Sequence, residues 1–264
     1  MRTVPDFAKM KAEGRKIVSL TAYDYPTALL EQEAGIDFIL VGDSIAMAVL
    51  GEETTLGVTV DMMLPHVRAV RKGAPETFVV AAMPFGSYQA SDERAVDSAG
   101  RLVAEGGADA VKLEGGAFMA ETVRFLVERG VPVCAHIGLT PQAVHQLGGY
   151  RVQGRSEEGA ARLKADAHAL EQAGAALMVM EMVPATLAAE ITASLKNMAT
   201  IGIGAGPGCD GQVLVLHDLL GVFPGKTARF VRNFMEGAAS IEEAVARYAA
   251  AVKDGSFPAA EHCY

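Results

Sequence analysis

The chain has little cysteine, no long apolar run and a deficit of positive charge, and each shortage excludes something. Cys134, Cys209 and Cys263 are the only cysteines among 264 residues, and none stands at a metal-ligand spacing from another. An odd count without such spacing argues against a disulfide framework. It leaves a cytoplasmic chain with reduced thiols as the simplest reading. No apolar run nears the roughly 18–20 residues of a membrane span. The opening stretch MRTVPDFAKMKAEGRK holds no apolar core of signal-peptide length. Lys and Arg total 23 against 32 Asp and Glu, a formal net charge of −9. That balance argues against nucleic acid and anionic membrane surfaces as partners. It does not exclude a small anionic substrate, for which one local cation in a pocket is enough.

What is present is a strong α/β alternation. Half the residues are hydrophobic, ample for a packed core, and a charged fraction of 21% is too low for disorder. Short Val, Ile and Leu runs predict buried parallel strands at 17–22, 38–41, 78–83, 110–113, 131–135, 177–181, 200–203 and 213–216. Helical periodicity fills 24–34, 61–73, 91–105, 118–129, 157–173, 185–194 and, more briefly, 217–221. Ser91 and Ser156 stand as N-caps, and Gly35, Gly130 and Gly174 as stops. The joints Glu33-Ala34-Gly35-Ile36-Asp37, Glu105-Gly106-Gly107-Ala108-Asp109 and Gln172-Ala173-Gly174-Ala175-Ala176 each precede a strand, as a repeated βα unit requires. No composition shift marks a boundary. The expectation is one (β/α)8 TIM barrel over residues 1–264, with a doubly wound open sheet as the other topology the pattern allows. Extra helices are expected within 225–253, and one near 5–13 capping the far end of the barrel.

Five apolar runs end on a titratable or metal-binding group: at Asp24, at Asp43, at Lys112 and Glu114, at His136, and at Glu181. In a barrel these ends converge on one mouth, where catalytic groups sit. Asp43 and Glu114 offer the hard oxygens that a magnesium ion takes along with water and substrate. The alternative for Asp43 is a carboxylate closing the Gly-Asp-Ser turn. Lys112 and Glu114 stand two apart and so share a strand face. Lys112 can bind a substrate carboxylate or enolate oxygen, or form a structural ion pair with Glu114. Glu181 in apolar surroundings can act as a base near neutrality, or serve the following helix N-terminus. His136 can orient substrate or shuttle protons, or be a satisfied core histidine. Asp24 reads as the N-cap of the helix from Tyr25. Gly202-Ile203-Gly204-Ala205-Gly206-Pro207-Gly208 lacks the Lys-Ser/Thr of a Walker motif and reads as a tight turn near the pocket floor. A metal bound to the carboxylate and keto oxygen of a 2-oxo acid would acidify its α-carbon. A base at Glu181 could then leave a metal-stabilised enolate, ready to form a C–C bond.

Several of these segments have a specific resemblance. Thr21-Ala22-Tyr23-Asp24-Tyr25, Val41-Gly42-Asp43-Ser44, Val58-Thr59-Val60-Asp61, Val111-Lys112-Leu113-Glu114-Gly115-Gly116 and His136-Ile137-Gly138-Leu139-Thr140-Pro141-Gln142 resemble ketopantoate hydroxymethyltransferases. So do Gly154-Arg155, Gln212-Val213-Leu214-Val215, Asp218-Leu219-Leu220-Gly221 and Phe230-Val231-Arg232-Asn233-Phe234, in order over nearly the whole chain. That family is part of the phosphoenolpyruvate mutase and isocitrate lyase superfamily of magnesium-dependent barrels. The resemblance implies a cytoplasmic homodecamer in pantothenate biosynthesis. It implies hydroxymethyl transfer from 5,10-methylenetetrahydrofolate to 3-methyl-2-oxobutanoate, giving 2-dehydropantoate. It further implies magnesium at Asp43 and Glu114, with manganese or cobalt able to substitute. Oxo-acid contacts are implied at Asp43, Ser44 and Lys112, and the base at Glu181.

One strand end departs from the family. Ala82-Met83-Pro84-Phe85 stands where the family reads Asp-Met/Leu-Pro-Phe. Position 82 is thus a substrate-touching metal-ligand position that here carries a methyl group. Three consequences are open. Water replaces the carboxylate and weakened activity survives; Glu52 or Glu53 compensates; or the barrel is a divergent or mutated one with a binding or structural role.

Overall fold

The computed structural model describes residues 1–224 and 227–264. Eight strands close into an all-parallel barrel in chain order: β1 (Ile17–Thr21), β2 (Phe38–Val41), β3 (Phe78–Ala82), β4 (Ala110–Lys112), β5 (Val133–Gly138), β6 (Leu177–Glu181), β7 (Ala199–Ile203) and β8 (Gly211–Leu214). β8 pairs back onto β1, so no edge is left open. All eight expected strands form, and the closed barrel replaces the open-sheet alternative.

Helices wrap the barrel. They are α1 (Val4–Ala12), α2 (Tyr25–Glu33), α3 (Ile45–Ala48), α4 (Val60–Gly73), α5 (Asp92–Gly100), α6 (Ala120–Glu128), α7 (Val144–Leu147), α8 (Glu157–Gln172), α9 (Ala185–Ser194), α10 (Leu216–Leu219) and α11 (Ile241–Asp254). Their starts follow from local chemistry. Asp24 accepts the Thr27 amide at 2.9 Å and so opens α2, as expected of an exposed N-cap. Ser91, Ser156 and Ser240 do the same for α5, α8 and α11. The helix expected over 91–105 ends as a π-helical turn at Arg101–Glu105, where the Gly106 amide reaches back to Arg101 O at 3.1 Å.

The strands are buried on both faces, which is why they read as unbroken apolar runs. Side chains at alternate positions fill the barrel, and those between them meet the helices. At the N-terminal end α1 lays Phe7 across the opening. Its ring stands edge-on to Phe38 and Phe78, with centroids 5.8 and 5.2 Å away. The cap expected near 5–13 is therefore an aromatic plug, and burying Phe7 contributes about 1.5–3 kcal/mol.

Two expectations need correction. The glycine-rich stretch after β7 does turn, at Pro207-Gly208, but residues 204–208 line no part of the pocket. It descends along α9 and delivers the chain to β8 without an intervening helix. A Cβ on Gly206 would meet the Ala185 Cβ at 2.4 Å, and one on Gly208 the Ala189 Cβ at 2.6 Å. Glycine is thus what lets a bare strand of chain take the place of a helix. Of the segment 225–253, only α11 is helical among the described residues, and positions 225 and 226 lie outside them. Phe230 and Phe234 are buried in the stretch before α11, so tertiary contacts rather than helical periodicity hold it. α11 packs on β1 and α2, and Tyr248 donates a 2.8 Å hydrogen bond to Ser19 O.

Candidate active site

The C-terminal ends of the strands surround a cavity of about 670 Å3. Asp43, Ser44, Lys112, Glu114, His136 and Glu181 all line it. The structure therefore brings together every strand-end candidate except Asp24, which caps α2 outside, and Ala82. Ala82 ends β3 fully buried, in register with Lys112, but is not part of the cavity lining. Glu52 and Glu53 are exposed and line no part of the cavity, which removes them as substitutes for a carboxylate at position 82.

The buried groups form a connected chain. Lys112 Nζ lies 3.4 Å from Glu114 Oε1 and 3.3 Å from His136 Nδ1. His136 Nδ1 is 3.6 Å from the same Glu114 oxygen. On its other side, His136 Nε2 stands 3.2 Å from Glu181 Oε2, an ion-pair distance without the alignment of a hydrogen bond. His136 is therefore not a satisfied core histidine. Its Nε2 is a buried polar atom aimed at the proposed base.

Asp43 does not close its own turn. Its Oδ2 accepts a 2.8 Å hydrogen bond from Gln142 Nε2, a residue of the loop after β5. The Gln142 backbone amide donates to Glu114 Oε2 at 2.9 Å. Tyr23 shares a 2.8 Å hydrogen bond with Ser44 Oγ, which fixes the serine at the rim.

Backbone geometry holds this arrangement. Met182, directly after Glu181, adopts a left-handed φ of 47°, uncommon for a side-chain-bearing residue and typical of functional turns. Gly138 ends β5 with φ 90°, and a Cβ there would stand 2.3 Å from Glu181 O. Glycine at 138 lets the Leu139 amide reach Glu181 O at 2.8 Å, and this pins the end of β6 against the end of β5.

The charges act on one another. Burial raises the Asp43 carboxyl above its ordinary range, against the pull of Lys112. Burial also works against the Glu114 carboxylate, but Lys112 and His136 outweigh it and hold Glu114 well below the usual range. Burial disfavours the Lys112 ammonium, yet Glu114 and Asp43 prevail and push it up. The His136 imidazole is likewise depressed by burial and by Lys112, but raised on balance by Glu114 and Glu181. Lys112 and Glu114 are thus an ion pair as well as cavity groups.

A sequence model of ketopantoate hydroxymethyltransferase matches residues 1–260. The chain belongs to the ketopantoate hydroxymethyltransferase family. It is 69% identical over 262 residues to a 3-methyl-2-oxobutanoate hydroxymethyltransferase from Azoarcus sp. (strain BH72), covering 99% of this chain and 96% of that one. The homonymous protein of Aromatoleum aromaticum is 66% identical over the same shares. Among solved structures, phosphoenolpyruvate phosphomutase from Streptomyces platensis subsp. rosaceus superposes with a TM-score of 0.61 at 14% identity, over 84% of this chain and 83% of that one. A 2,3-dimethylmalate lyase of the PEP mutase/isocitrate lyase superfamily gives 0.60 at 18%, over 84% of each. At these identities the likeness is one of fold.

The ketopantoate hydroxymethyltransferase family implies a magnesium ion, and the residues present fit one with a reduced donor set. Asp43 and Glu114 are hard, buried oxygen donors, and the hydrogen bonds to Asp43 among the described residues fall on Oδ2 alone. Among the described residues no three acid, histidine or cysteine side chains are placed to share an ion. Two carboxylates with water and substrate are a usual magnesium shell, so the site fits as a two-carboxylate one.

Sequence reasoning missed several cavity groups. Tyr150, Asp218, Phe230 and Tyr264 also line the cavity. Burial raises the Asp218 carboxyl. Asp218 and Phe230 lay within quoted family segments, whereas nothing local marked Tyr150 or Tyr264. Among the described residues no helix is long and apolar enough to cross a membrane.

Proposed function

We propose that the chain transfers a hydroxymethyl group from 5,10-methylenetetrahydrofolate to 3-methyl-2-oxobutanoate, giving 2-dehydropantoate for pantothenate synthesis. The observation that supports the reading is the run of contacts Glu181, His136, Lys112 and Glu114, with Asp43 joined to Glu114 through Gln142, the five ionisable groups all lining one cavity. In this reading they are a base, a proton-handling imidazole, a fixed cation and two carboxylates for a 2-oxo acid. Asp43 and Glu114 hold Mg2+, for which Mn2+ or Co2+ can substitute. When bound, the ion acts as a Lewis acid toward the oxo acid and lowers the pKa of its C3–H.

The chain's own groups do the rest. Glu181 takes the C3 proton, and the electron pair left behind forms the new bond to the one-carbon unit. The two C–N bonds of that unit to the folate break. One water supplies the hydroxyl group and, with the C3 proton, the protons for the folate nitrogens, and tetrahydrofolate leaves. His136 steadies the Glu181 carboxylate and can hold or return its proton. Lys112 supplies a positive charge on the cavity floor for the substrate carboxylate, with Ser44 oriented beside it by Tyr23. The cavity volume lies within the range of about 300–1,000 Å3 that suits a drug-sized ligand, room for the oxo acid and part of a pterin. The working form is a cytoplasmic homodecamer.

Deuterium exchange at C3 of 3-methyl-2-oxobutanoate, followed by NMR without folate, tests the floor of the site alone. Exchange that rises with added Mg2+ is expected, together with folate-dependent 2-dehydropantoate formation. Ala82→Asp, which restores a strand-end carboxylate beside Lys112, is expected to tighten the Mg2+ requirement by ~10–100-fold. The absence of Asp at position 82 favours a second reading, a barrel retained for binding or structure. Folded protein that shows no exchange at saturating Mg2+ would establish that reading instead.

A further inference from the structure

We infer that Gln142 is the positioning residue that holds Asp43 and Glu114 at the separation a single divalent cation needs, and that Tyr88 fixes which end of its amide faces Asp43. The inference rests on the metal reading proposed above.

Gln142 is buried and grips both carboxylates at once. Its backbone N–H donates to Glu114 Oε2 at 2.9 Å, and its side-chain Nε2 donates to Asp43 Oδ2 at 2.8 Å and to Met83 O at 2.9 Å. Asp43 follows β2 and Glu114 follows β4. Met83 follows β3, the strand between them. One residue from the loop after β5 therefore ties three strand ends together across the point where Ala82 offers no carboxylate.

The direction of the amide is set by its other end. Gln142 Oε1 accepts from Tyr88 Oη at 2.7 Å and from Gln89 Nε2 at 3.1 Å. Tyr88 Oη in turn accepts the Glu114 backbone N–H at 3.0 Å. The Tyr88 hydroxyl has one proton, and its 2.7 Å contact to Gln142 is closer than the 3.3 Å contact to Glu114 O. The hydrogen bonds thus run one way: Glu114 N–H to Tyr88, Tyr88 O–H to Gln142, Gln142 N–H to Asp43. A flipped amide would set Oε1 against two acceptors, Asp43 Oδ2 and Met83 O, and is excluded by their repulsion.

This wiring also gives Gln142 its role. Its oxygen is spent on Tyr88 and Gln89, so it is not a metal ligand. By occupying Asp43 Oδ2 it leaves Oδ1 for the ion. Where a third carboxylate is missing, the spacing of the remaining two depends on this bridge.

The test is Mn2+ affinity, measured by electron paramagnetic resonance on the folded, substrate-free protein, for the parent, Gln142→Ala and Tyr88→Phe. Loss of groups that orient metal ligands costs ~10–100-fold in metal affinity. Gln142→Ala is expected in that range, and Tyr88→Phe near its lower end. Tyr88→Phe also leaves the buried Glu114 N–H unpaired, so its metal-free melting temperature should fall by roughly a few degrees; a purely structural role would move that alone and leave the Mn2+ affinity of the folded protein at the parent's. Affinities within twofold of the parent for both variants would overturn the inference while leaving the metal reading intact. A parent that binds no Mn2+ would overturn both. Should Gln142→Ala fail to fold, Tyr88→Phe decides alone, since it keeps the buried ring and removes only the hydroxyl.

Discussion

The two ends of this barrel use the same residue types for opposite purposes. At the N-terminal end an aspartate stands directly before each of three strands, and each accepts a strand amide and pairs with a cation. Asp37 accepts the Val18 amide at 2.8 Å and pairs with Arg2. Asp109 accepts the Val79 amide at 2.8 Å and pairs with Arg71. Asp210 accepts the Thr200 amide at 2.8 Å and pairs with Lys11, also at 2.8 Å. Each acid thus binds the backbone of the preceding strand and a cation from the outer layer, which fixes the register of neighbouring strands. At the mouth, Asp43, Glu114 and Glu181 crowd around one lysine and one histidine. The His136 Nε2 lacks an aligned partner and Met182 is held in a left-handed backbone conformation. Acids spent on strand amides and outer-layer cations hold the fold together; acids that face the cavity around a shared lysine and histidine are those available for ligand and proton.

Substitutions that separate the two ends sharpen the contrast. The largest effect is expected at the mouth. Glu181→Gln should lower C3 deuterium exchange by ~100–10,000-fold, the usual worth of a general base, while the melting temperature stays near the parent's. Equal exchange in both proteins would remove Glu181 from its role. Next comes the closed end. Asp37→Ala leaves the Val18 amide and Arg2 unpaired and should cost about 2–3 kcal/mol in urea unfolding, with exchange per folded molecule unchanged. A fall in exchange per folded molecule would mean that the two ends are coupled.

The smallest effect concerns an acid at neither end. Glu31 is fully buried on α2 with both carboxylate oxygens unpartnered, and burial raises it well above its ordinary 4.5. The folded state therefore keeps a proton that the unfolded state releases, so this group's contribution to stability falls as pH climbs from about 4.5 toward the raised folded value. Glu31→Met, of similar shape, should gain about 1 kcal/mol at pH 8 and almost nothing near pH 4.5. Melting curves across that range check it, and a pH-independent difference would show that Glu31 is not the source.

Much of the fold was legible because barrel strands are apolar on both faces and their helices carry local caps. Asp24, Ser91 and Ser156 act where their sequence positions put them. The strand-end series was legible for the same reason, since an acid that interrupts a buried run has only the mouth to face. The β7–β8 crossover was not legible. Its glycines answer to the alanines of α9, a contact distant in sequence. The β5 strand runs later than expected, through His136 to Gly138, because it pairs with β6 as far as Glu181, whose carbonyl takes the Leu139 amide, rather than because of any local signal.

By itself the sequence determined the eight-fold alternation, the acids at the mouth and the gap at Ala82, because burial and periodicity act residue by residue along the chain. Only the tertiary structure decided which of those acids meet and how they are held. The line from Glu181 through His136 to Glu114, and the bridge from Tyr88 through Gln142 to Asp43, join groups from different strands. Such ion-pair contacts and hydrogen bonds, between residues up to 99 positions apart, exist only once the barrel has closed.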